Sequence, residues 1–143
     1  MQRFLTAEWR KLIMANYEMD PARLKTLIPA GAEADSWNGN TYVSLVGFLF
    51  SNTRVRGWRI PFHVNFPEVN LRFYVRYKEN NEWKRGVVFV KEIVPKPAIS
   101  FVANGLFNER YVTLPMKYSI QYEKPYLGVS YECNSDEYPN ILT

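Results

Sequence analysis

The stretch that decides the fold runs from Glu68 to Tyr77 and reads Glu-Val-Asn-Leu-Arg-Phe-Tyr-Val-Arg-Tyr. Successive side chains of a β-strand point to opposite faces, so this strict alternation predicts a strand with one apolar and one polar face. The apolar face carries Val69, Leu71, Phe73, Val75 and Tyr77. The polar face carries Glu68, Asn70, Arg72, Tyr74 and Arg76.

The rest of the chain predicts further strands and two short helices around this strand. The strands cover residues 9–17, a segment before Trp37, and residues 41–50, 83–94, 111–123 and 126–132. The helices cover residues 21–28, after an Asp20-Pro21 start, and 97–108. Asn38-Gly39 and residues 79–82 predict tight turns, and residues 52–65 a loop. The order predicts an α+β protein of mostly antiparallel β structure, with a sheet curled or closed into a β-barrel.

Composition narrows the class of protein. The 143 residues suit a single domain over residues 1–143, and 47% hydrophobic with 22% charged residues is a globular composition. The net charge of +4 is spread along the chain, which does not favour a nucleic-acid binder. The single cysteine excludes an intramolecular disulfide and favours a cytoplasmic location. No apolar stretch reaches the length of a membrane span, so no membrane partner is expected.

Metal and cofactor chemistry has little support in the sequence. His63 and Cys133 are the only histidine and cysteine, which does not favour a metal site. The glycines do not cluster into a phosphate-binding loop, and no nucleophile-elbow motif is present. The sequence therefore predicts no cofactor and no metal.

Two segments carry candidate binding residues, and each has a plain structural alternative. The polar face of the strand could line a cavity in which Glu68, Asn70, Arg72 and Tyr74 bind an organic acid or carbonyl compound, or it could be a solvated outer face. The segment from Arg54 to Arg59 could bind an anion or single-stranded nucleic acid, or it could be a solvated loop with Trp58 at an edge or subunit contact.

A set of short motifs spread over nearly the whole chain resembles the uncharacterised YqjF-like family, a domain of unknown function in the acetoacetate-decarboxylase-like superfamily. They include Trp9-Arg10-Lys11-Leu12, Leu27-Ile28-Pro29-Ala30-Gly31, Tyr42-Val43-Ser44-Leu45-Val46-Gly47-Phe48, Gly86-Val87-Val88-Phe89 and Asn108-Glu109-Arg110-Tyr111. The residue 68–75 motif belongs to the same set. The resemblance implies an acetoacetate-decarboxylase-like fold. Family members usually continue for further strands, so the chain is expected to lack the family's C-terminal strands or to be a short member.

The comparison with acetoacetate decarboxylase itself concerns two places. Phe66-Pro67-Glu68 is similar to the aromatic-x-Glu that supplies an active-site carboxylate, which makes Glu68 the candidate catalytic residue. Pro97-Ala98-Ile99 is similar to the lead-in to the enzyme's lysine pair, but Glu109, Arg110 and Tyr111 occupy the place of the lysines. A guanidinium cannot form an imine, so Schiff-base decarboxylation is not expected. Glu109 and Arg110 are either pocket residues or the end of a helix.

The function expected from these observations is small-molecule binding, with an organic acid or carbonyl ligand that is expected to be anionic. Glu68 would be a hydrogen-bond acceptor or general base, and Arg72 would orient it or hold the ligand's carboxylate. The alternatives are a non-catalytic protein-interaction scaffold and single-stranded nucleic-acid binding, and whether the protein is an enzyme stays open. Because the superfamily's enzymes assemble into oligomers, the resemblance also allows a homo-oligomer.

Overall fold

A computed structural model of the chain describes residues 5–107, 110–134 and 139–142. In chain order the elements are β1 (Leu5–Glu18), a 3-10 helix (Pro21–Leu24), β2 (Ala32–Ala34), β3 (Tyr42–Val55), β4 (Phe66–Glu79), β5 (Glu82–Val94), α1 (Pro97–Phe107), β6 (Tyr111–Thr113), β7 (Met116–Glu123), β8 (Tyr126–Asn134) and β9 (Pro139–Leu142). One sheet has the strand order β1-β3-β4-β5-β6, with β2 also paired to β4, and a second has the order β7-β8-β9. The protein is mostly antiparallel β structure with little helix, as predicted.

The structure differs from the predicted fold in two details. The strand order in the described residues is open, with β1 and β6 at its ends, so this sheet is not closed into a barrel. The first predicted helix is a 3-10 helix of four residues. Its backbone bonds join residues three apart, as from the Arg23 amide to the Asp20 carbonyl at 3.0 Å. Asp20 caps it as predicted, because its side chain accepts a hydrogen bond from the Ala22 amide at 2.9 Å. Among the described residues α1 is therefore the one α-helix, where two helices were predicted.

The predicted strand over residues 111–123 is split at Pro115. Proline has no amide hydrogen for a sheet ladder, so β6 ends before it and β7 begins after it. β6 pairs in parallel with β5, and β7 pairs antiparallel with β8. The prediction that this stretch forms one continuous strand was wrong.

Tight turns set the strand ends. The predicted turns at Asn38-Gly39 and Asn80-Asn81 are present, and all four residues have positive φ. The predicted loop over residues 52–65 instead continues β3 to Val55, and Val55 bridges Trp58. Arg56 (φ 50°) and Gly57 (φ 86°) close that bridge. A two-residue turn with positive φ at both positions matches the twist of paired strands, so this segment is a hairpin.

The chain divides into two compact units, each with its own buried side chains. The first unit comprises residues 1–13, 47–69 and 92–143, and the second comprises residues 14–46 and 70–91. In the second unit Leu24, Val43, Phe73 and Val75 form the core. In the first unit the rings of Trp9, Phe48, Phe50 and Phe66 pack in sequence, with centroids 4.6–5.1 Å apart at Trp9–Phe48, Phe48–Phe50 and Phe50–Phe66.

In the described part of the chain, no helix has both the length and the apolar character needed to cross a bilayer.

Candidate functional site

The start of β4 is buried on both faces. Residues 66–70 are all buried, and the exposed fractions of Glu68 and Asn70 are 2% and 1%. A carboxylate is rarely removed from water to this extent unless partners stabilise it. The alternative of a solvated outer face is therefore wrong for Glu68 and Asn70.

Glu68 lies beside Tyr111 and Glu92 in the first unit. The Tyr111 hydroxyl donates a hydrogen bond to Glu68 Oε2 at 3.2 Å. Glu92, with an exposed fraction of 4%, is the parallel register partner of Tyr111. Burial raises the pKa of the Tyr111 hydroxyl well above its usual range, and the charges of Glu68 and Glu92 and hydrogen bonds to both raise it further. We call Glu68, Glu92 and Tyr111 the acidic centre.

The position of Tyr111 is fixed by helix α1. The Asn104 side chain bonds both backbone groups of Tyr111: Asn104 Nδ2 donates to the Tyr111 carbonyl at 2.9 Å, and the Tyr111 amide donates to Asn104 Oδ1 at 2.8 Å. On the other edge of β6, the Glu92 amide donates to the Arg110 carbonyl at 3.2 Å. Ser100 and Thr113 add a hydroxyl–hydroxyl bond at 2.8 Å. The Asn104 side chain thus takes the place of a neighbouring strand at the outer edge of β6. Its two bonds hold Tyr111 in position opposite Glu92.

The acidic centre is suited to holding or transferring a proton. Two buried carboxylates beside one hydroxyl repel each other when both are ionised. The hydroxyl is a hydrogen-bond donor that could also serve a carbonyl oxygen. Tyr111 is only partly buried, whereas Glu68 and Glu92 are almost fully buried.

The other predicted site residues have different environments. Asn70, Arg72 and Tyr74 belong to the second unit, whereas Glu68 belongs to the first. Arg72 is half-buried with its guanidinium carbon 5.9 Å from the centroid of the Tyr74 ring, within cation–π range. Arg110 is exposed, and Glu109 lies outside the described residues.

A cavity of about 380 Å³ lies in the second unit. Its lining residues come from β1, the connection between β2 and β3, β3, β4 and β5: Asn16, Asp35, Ser36, Trp37, Tyr42, Tyr74, Arg85 and Gly86. We call it the Trp37 pocket. Arg85 Nε forms an ion pair with Asp35 Oδ2 at 3.1 Å, and the Tyr74 hydroxyl is 2.8 Å from Ser44 Oγ. The volume is in the range of small-molecule sites.

The hairpin around Arg56 presents its aromatic residue to solvent, with Trp58 exposed to 77%. Arg54 and Arg59 line a shallow cavity of about 300 Å³ that also contains Glu8. Hydrogen bonds from Asn52 and then Arg10 lower the pKa of Glu8, which keeps a negative charge beside these arginines. An anion entering this cavity therefore meets a carboxylate as well as guanidinium groups.

The described residues contain no group of three or more His, Cys, Asp or Glu side chains placed to hold a metal ion. The sequence has three single lysines in this region, of which Lys91 and Lys117 are exposed and Lys96 is half-buried.

Several residues of the two sites had no predicted role, among them Tyr111, Glu92, Asn104 and Arg85. Glu92 has a weak signal in the sequence, because it is an acidic residue in a mostly apolar strand end, Val88-Phe89-Val90-Lys91-Glu92-Ile93-Val94. Asn104 and Arg85 have none, since their partners Tyr111 and Asp35 depend on tertiary contacts.

The profile of a family described as an uncharacterized conserved protein, DUF2071, matches residues 6–139. The chain belongs to the DUF2071 family. The uncharacterized protein YqjF of Bacillus subtilis (strain 168) is 38% identical to this DUF2071 chain over 71 residues, which are 49% of the chain and 29% of YqjF. The predicted YqjF-like relationship is confirmed.

The fold of this DUF2071 chain is similar to that of an acetoacetate decarboxylase-like enzyme from Sphingomonas wittichii RW1, with a TM-score of 0.62. The match covers 90% of the chain and 51% of the enzyme at 17% sequence identity. At that identity the likeness shows the fold alone, which is the acetoacetate-decarboxylase-like fold that the resemblance implied. The chain spans about half of that enzyme and under a third of YqjF.

Proposed function

We propose that this DUF2071 chain binds a small organic carbonyl or hydroxy compound at the acidic centre. The observation that carries the proposal is the burial of Glu68, at 2% exposure, against a tyrosine hydroxyl that also bonds Glu92. Desolvating two carboxylates at one hydroxyl destabilises a fold unless partners offset it, and such arrangements cluster at functional sites.

The roles of the three residues follow from their hydrogen-bonding groups. Tyr111 would turn its hydroxyl proton from Glu68 Oε2 to the ligand's carbonyl oxygen. Glu68 would accept a hydrogen bond from a ligand hydroxyl, or take a proton from the carbon beside the carbonyl. Glu92 would hold the Tyr111 hydroxyl between the two carboxylates, so that it stays protonated and able to donate.

Electrostatics define how an organic acid would be oriented. Glu68 and Glu92 repel a carboxylate, so the ligand's own carboxylate must point away from them. Arg110 precedes Tyr111 and is exposed, which makes it the group proposed to receive that carboxylate. The roles predicted for Asn70, Arg72 and Glu109 remain predictions.

The chemistry proposed here does not pass through an imine. Arg110 and Tyr111 lie where the resemblance expects the lysine pair, and neither offers a nucleophilic amine. Proton transfer at Glu68 needs no such amine, so an activity of this chain would be enolisation or another proton-transfer step rather than Schiff-base decarboxylation.

The test is a thermal-shift screen of the chain against keto acids, hydroxy acids, dicarboxylates and short nucleotides, repeated on Glu68→Gln. Glu33→Gln is the matched control, because Glu33 pairs with Arg76 on the surface. A ligand at 100 times its dissociation constant stabilises by about 2.7 kcal/mol, a rise of roughly 5–10 °C for this size. We expect a rise with a keto or hydroxy acid that is lost in Glu68→Gln and kept in Glu33→Gln. A rise that survives Glu68→Gln contradicts the proposal.

A second candidate function, an interaction scaffold, has support in the β7–β8 hairpin. Tyr118, Tyr122, Tyr126 and Leu127 are exposed to 49%, 72%, 78% and 47%. Several large side chains exposed together are typical of a protein-contact surface. Absence of any ligand response, together with self-association that Tyr122→Ser and Tyr126→Ser abolish, would favour this second function.

A further inference from the structure

We infer that the Trp37 pocket is a second ligand site, selective for a small planar carboxylate such as a hydroxybenzoate. It goes beyond the proposed function, because the pocket is formed within the second unit from residues that the acidic centre does not contain. The inference rests on three properties of the lining: aromatic walls, an oriented hydrogen-bonding chain and a held guanidinium.

The aromatic walls favour a flat ligand. Trp37, Tyr42 and Tyr74 all line the pocket, and three aromatic side chains around a cavity of about 380 Å³ present flat apolar surface to a bound ring. Trp37 sits at the start of the hairpin turn, where its amide donates to the Asn40 carbonyl at 2.8 Å. Its side chain is exposed to 65%, so the empty pocket leaves a large apolar surface in water. Covering that surface with a ring is favourable.

The hydrogen-bonding chain links Ser44 with Asn16 and Tyr74. Ser44, fully buried, donates its only hydroxyl proton to Asn16 Oδ1 at 2.5 Å. The Tyr74 hydroxyl lies 2.8 Å from Ser44 Oγ and 3.9 Å from Met14 Sδ, so its one proton is directed to one of these two neighbours. The Tyr74 oxygen therefore offers lone pairs to the pocket, and the Asn16 amide nitrogen offers hydrogens. A ligand with both a hydroxyl and an acceptor oxygen satisfies both.

The guanidinium of Arg85 is held at the pocket and still has donors to offer. Its Nε bonds Asp35 Oδ2 at 3.1 Å, and the Asp35 side chain is only 11% exposed. Asp35 is itself fixed, because its amide donates to the Tyr74 carbonyl at 2.9 Å. An arginine anchored through Nε keeps its two terminal nitrogens for a carboxylate. Charge and ring together specify a planar carboxylate.

The test is isothermal titration calorimetry with 4-hydroxybenzoate on the whole chain, with 4-hydroxybenzamide and cyclohexanecarboxylate as comparison compounds. The amide keeps the ring and loses the charge, whereas the cyclohexane compound keeps the charge and loses the planar ring. We expect 4-hydroxybenzoate to bind at least tenfold more tightly than either. Equal binding of all three, or no binding of 4-hydroxybenzoate at millimolar concentration, overturns the inference.

Substitutions test whether 4-hydroxybenzoate binds in the Trp37 pocket. Arg85→Gln should weaken it at least tenfold, whereas Arg76→Gln should change it less than twofold, since Arg76 also pairs with a carboxylate, Glu33, at 2.6 Å but does not line the pocket. Trp37→Ala, at an exposed position, should weaken binding without changing the melting temperature. Glu68→Gln should leave it unchanged, which separates this site from the acidic centre. Equal weakening in Arg85→Gln and Arg76→Gln overturns the assignment to this pocket.

Discussion

The acidic centre and the Trp37 pocket use carboxylates in opposite ways. In the acidic centre two carboxylates are almost fully buried and share a tyrosine hydroxyl. In the Trp37 pocket one carboxylate is paired with an arginine whose side chain is 68% exposed. The stability of a buried carboxylate depends on each of its hydrogen bonds, whereas an ion pair with an exposed arginine contributes little to stability. Loss of one group should therefore lower the free energy of unfolding more at the acidic centre than at the Trp37 pocket.

The largest expected effect comes from removing one hydroxyl at each site. Tyr111→Phe removes the hydroxyl that donates to Glu68 and should lower the free energy of unfolding by about 1–3 kcal/mol, the range for losing a hydrogen bond to a buried charged group. Tyr74→Phe removes an ordinary hydroxyl–hydroxyl bond and should lower it by about 0.5–1.5 kcal/mol. Urea denaturation at pH 7 measures both. Equal losses would show that the acidic centre is no more dependent on its hydroxyl than the pocket is.

The next largest effect is a loss of stability of the folded chain at alkaline pH. A tyrosine in the unfolded chain ionises near pH 10, and the pKa of Tyr111 is raised above that in the folded protein. Unfolding above pH 10 therefore releases a proton, so stability falls as the pH rises. Relative to Tyr111→Phe, the native chain should lose up to about 1.4 kcal/mol per pH unit above pH 10.

Tyr131 provides the reference for that measurement. Burial, and then the neighbouring Tyr118, raise the pKa of Tyr131 to about 12. Relative to Tyr131→Phe, the native chain should thus lose stability between pH 10 and 12, and the loss should then level off. Urea denaturation at several pH values between 8.5 and 12 gives both curves, and parallel curves for the native chain and Tyr111→Phe would refute the assignment.

At neutral pH Tyr111 and Tyr131 are protonated in both the folded and the unfolded chain. Their raised pKa values therefore do not affect a comparison of stabilities made at neutral pH. The two variants then differ from the native chain only through the hydrogen bonds that they lose, with Tyr131 donating to the Lys11 carbonyl at 2.7 Å.

The smallest expected effect is a pair of small changes in stability that have opposite signs at the two sites. Glu68→Gln keeps an acceptor for Tyr111 and removes one of two repelling charges, so it should leave stability unchanged or raise it by up to about 1 kcal/mol. Asp35→Asn breaks the exposed pair with Arg85 and should lower stability by about 0.5 kcal/mol, less at high salt. Thermal melts at low and high salt measure both. A loss in Glu68→Gln as large as in Tyr111→Phe would mean that its charge, not its acceptor, stabilises the centre.

Local signals predicted much of the fold. Asn-Gly at residues 38–39 and Asn-Asn at 80–81 predicted turns because these residues tolerate positive φ. The turn at Arg56-Gly57 was missed because an arginine at positive φ is favoured by the pairing of Val55 with Trp58, which the local sequence does not show. Pro115 could have indicated the break between β6 and β7, but the alternation of apolar residues on both sides of it favoured one continuous strand.

The acidic centre could be predicted only in part. Alternation placed Glu68 on a polar face, but its burial depends on both faces of β4 being covered at residues 66–70. Glu92 and Tyr111 meet through the parallel pairing of β5 with β6, a register that no local pattern specifies. The Trp37 pocket was not predicted, because its residues come from five separate elements.

The parallel pairing of β5 with β6 also has a consequence for how the chain folds. Joining two parallel strands requires a crossover, here α1, so Glu92 and Tyr111 meet only after the intervening loop has closed. Contacts of this kind raise contact order and tend to form late, whereas the β2–β3 turn beside Trp37 closes over two residues. Substitutions at Tyr111 are then expected to act on the unfolding rate, with the refolding rate nearly unchanged. The acidic centre is then expected to form after this local turn during folding.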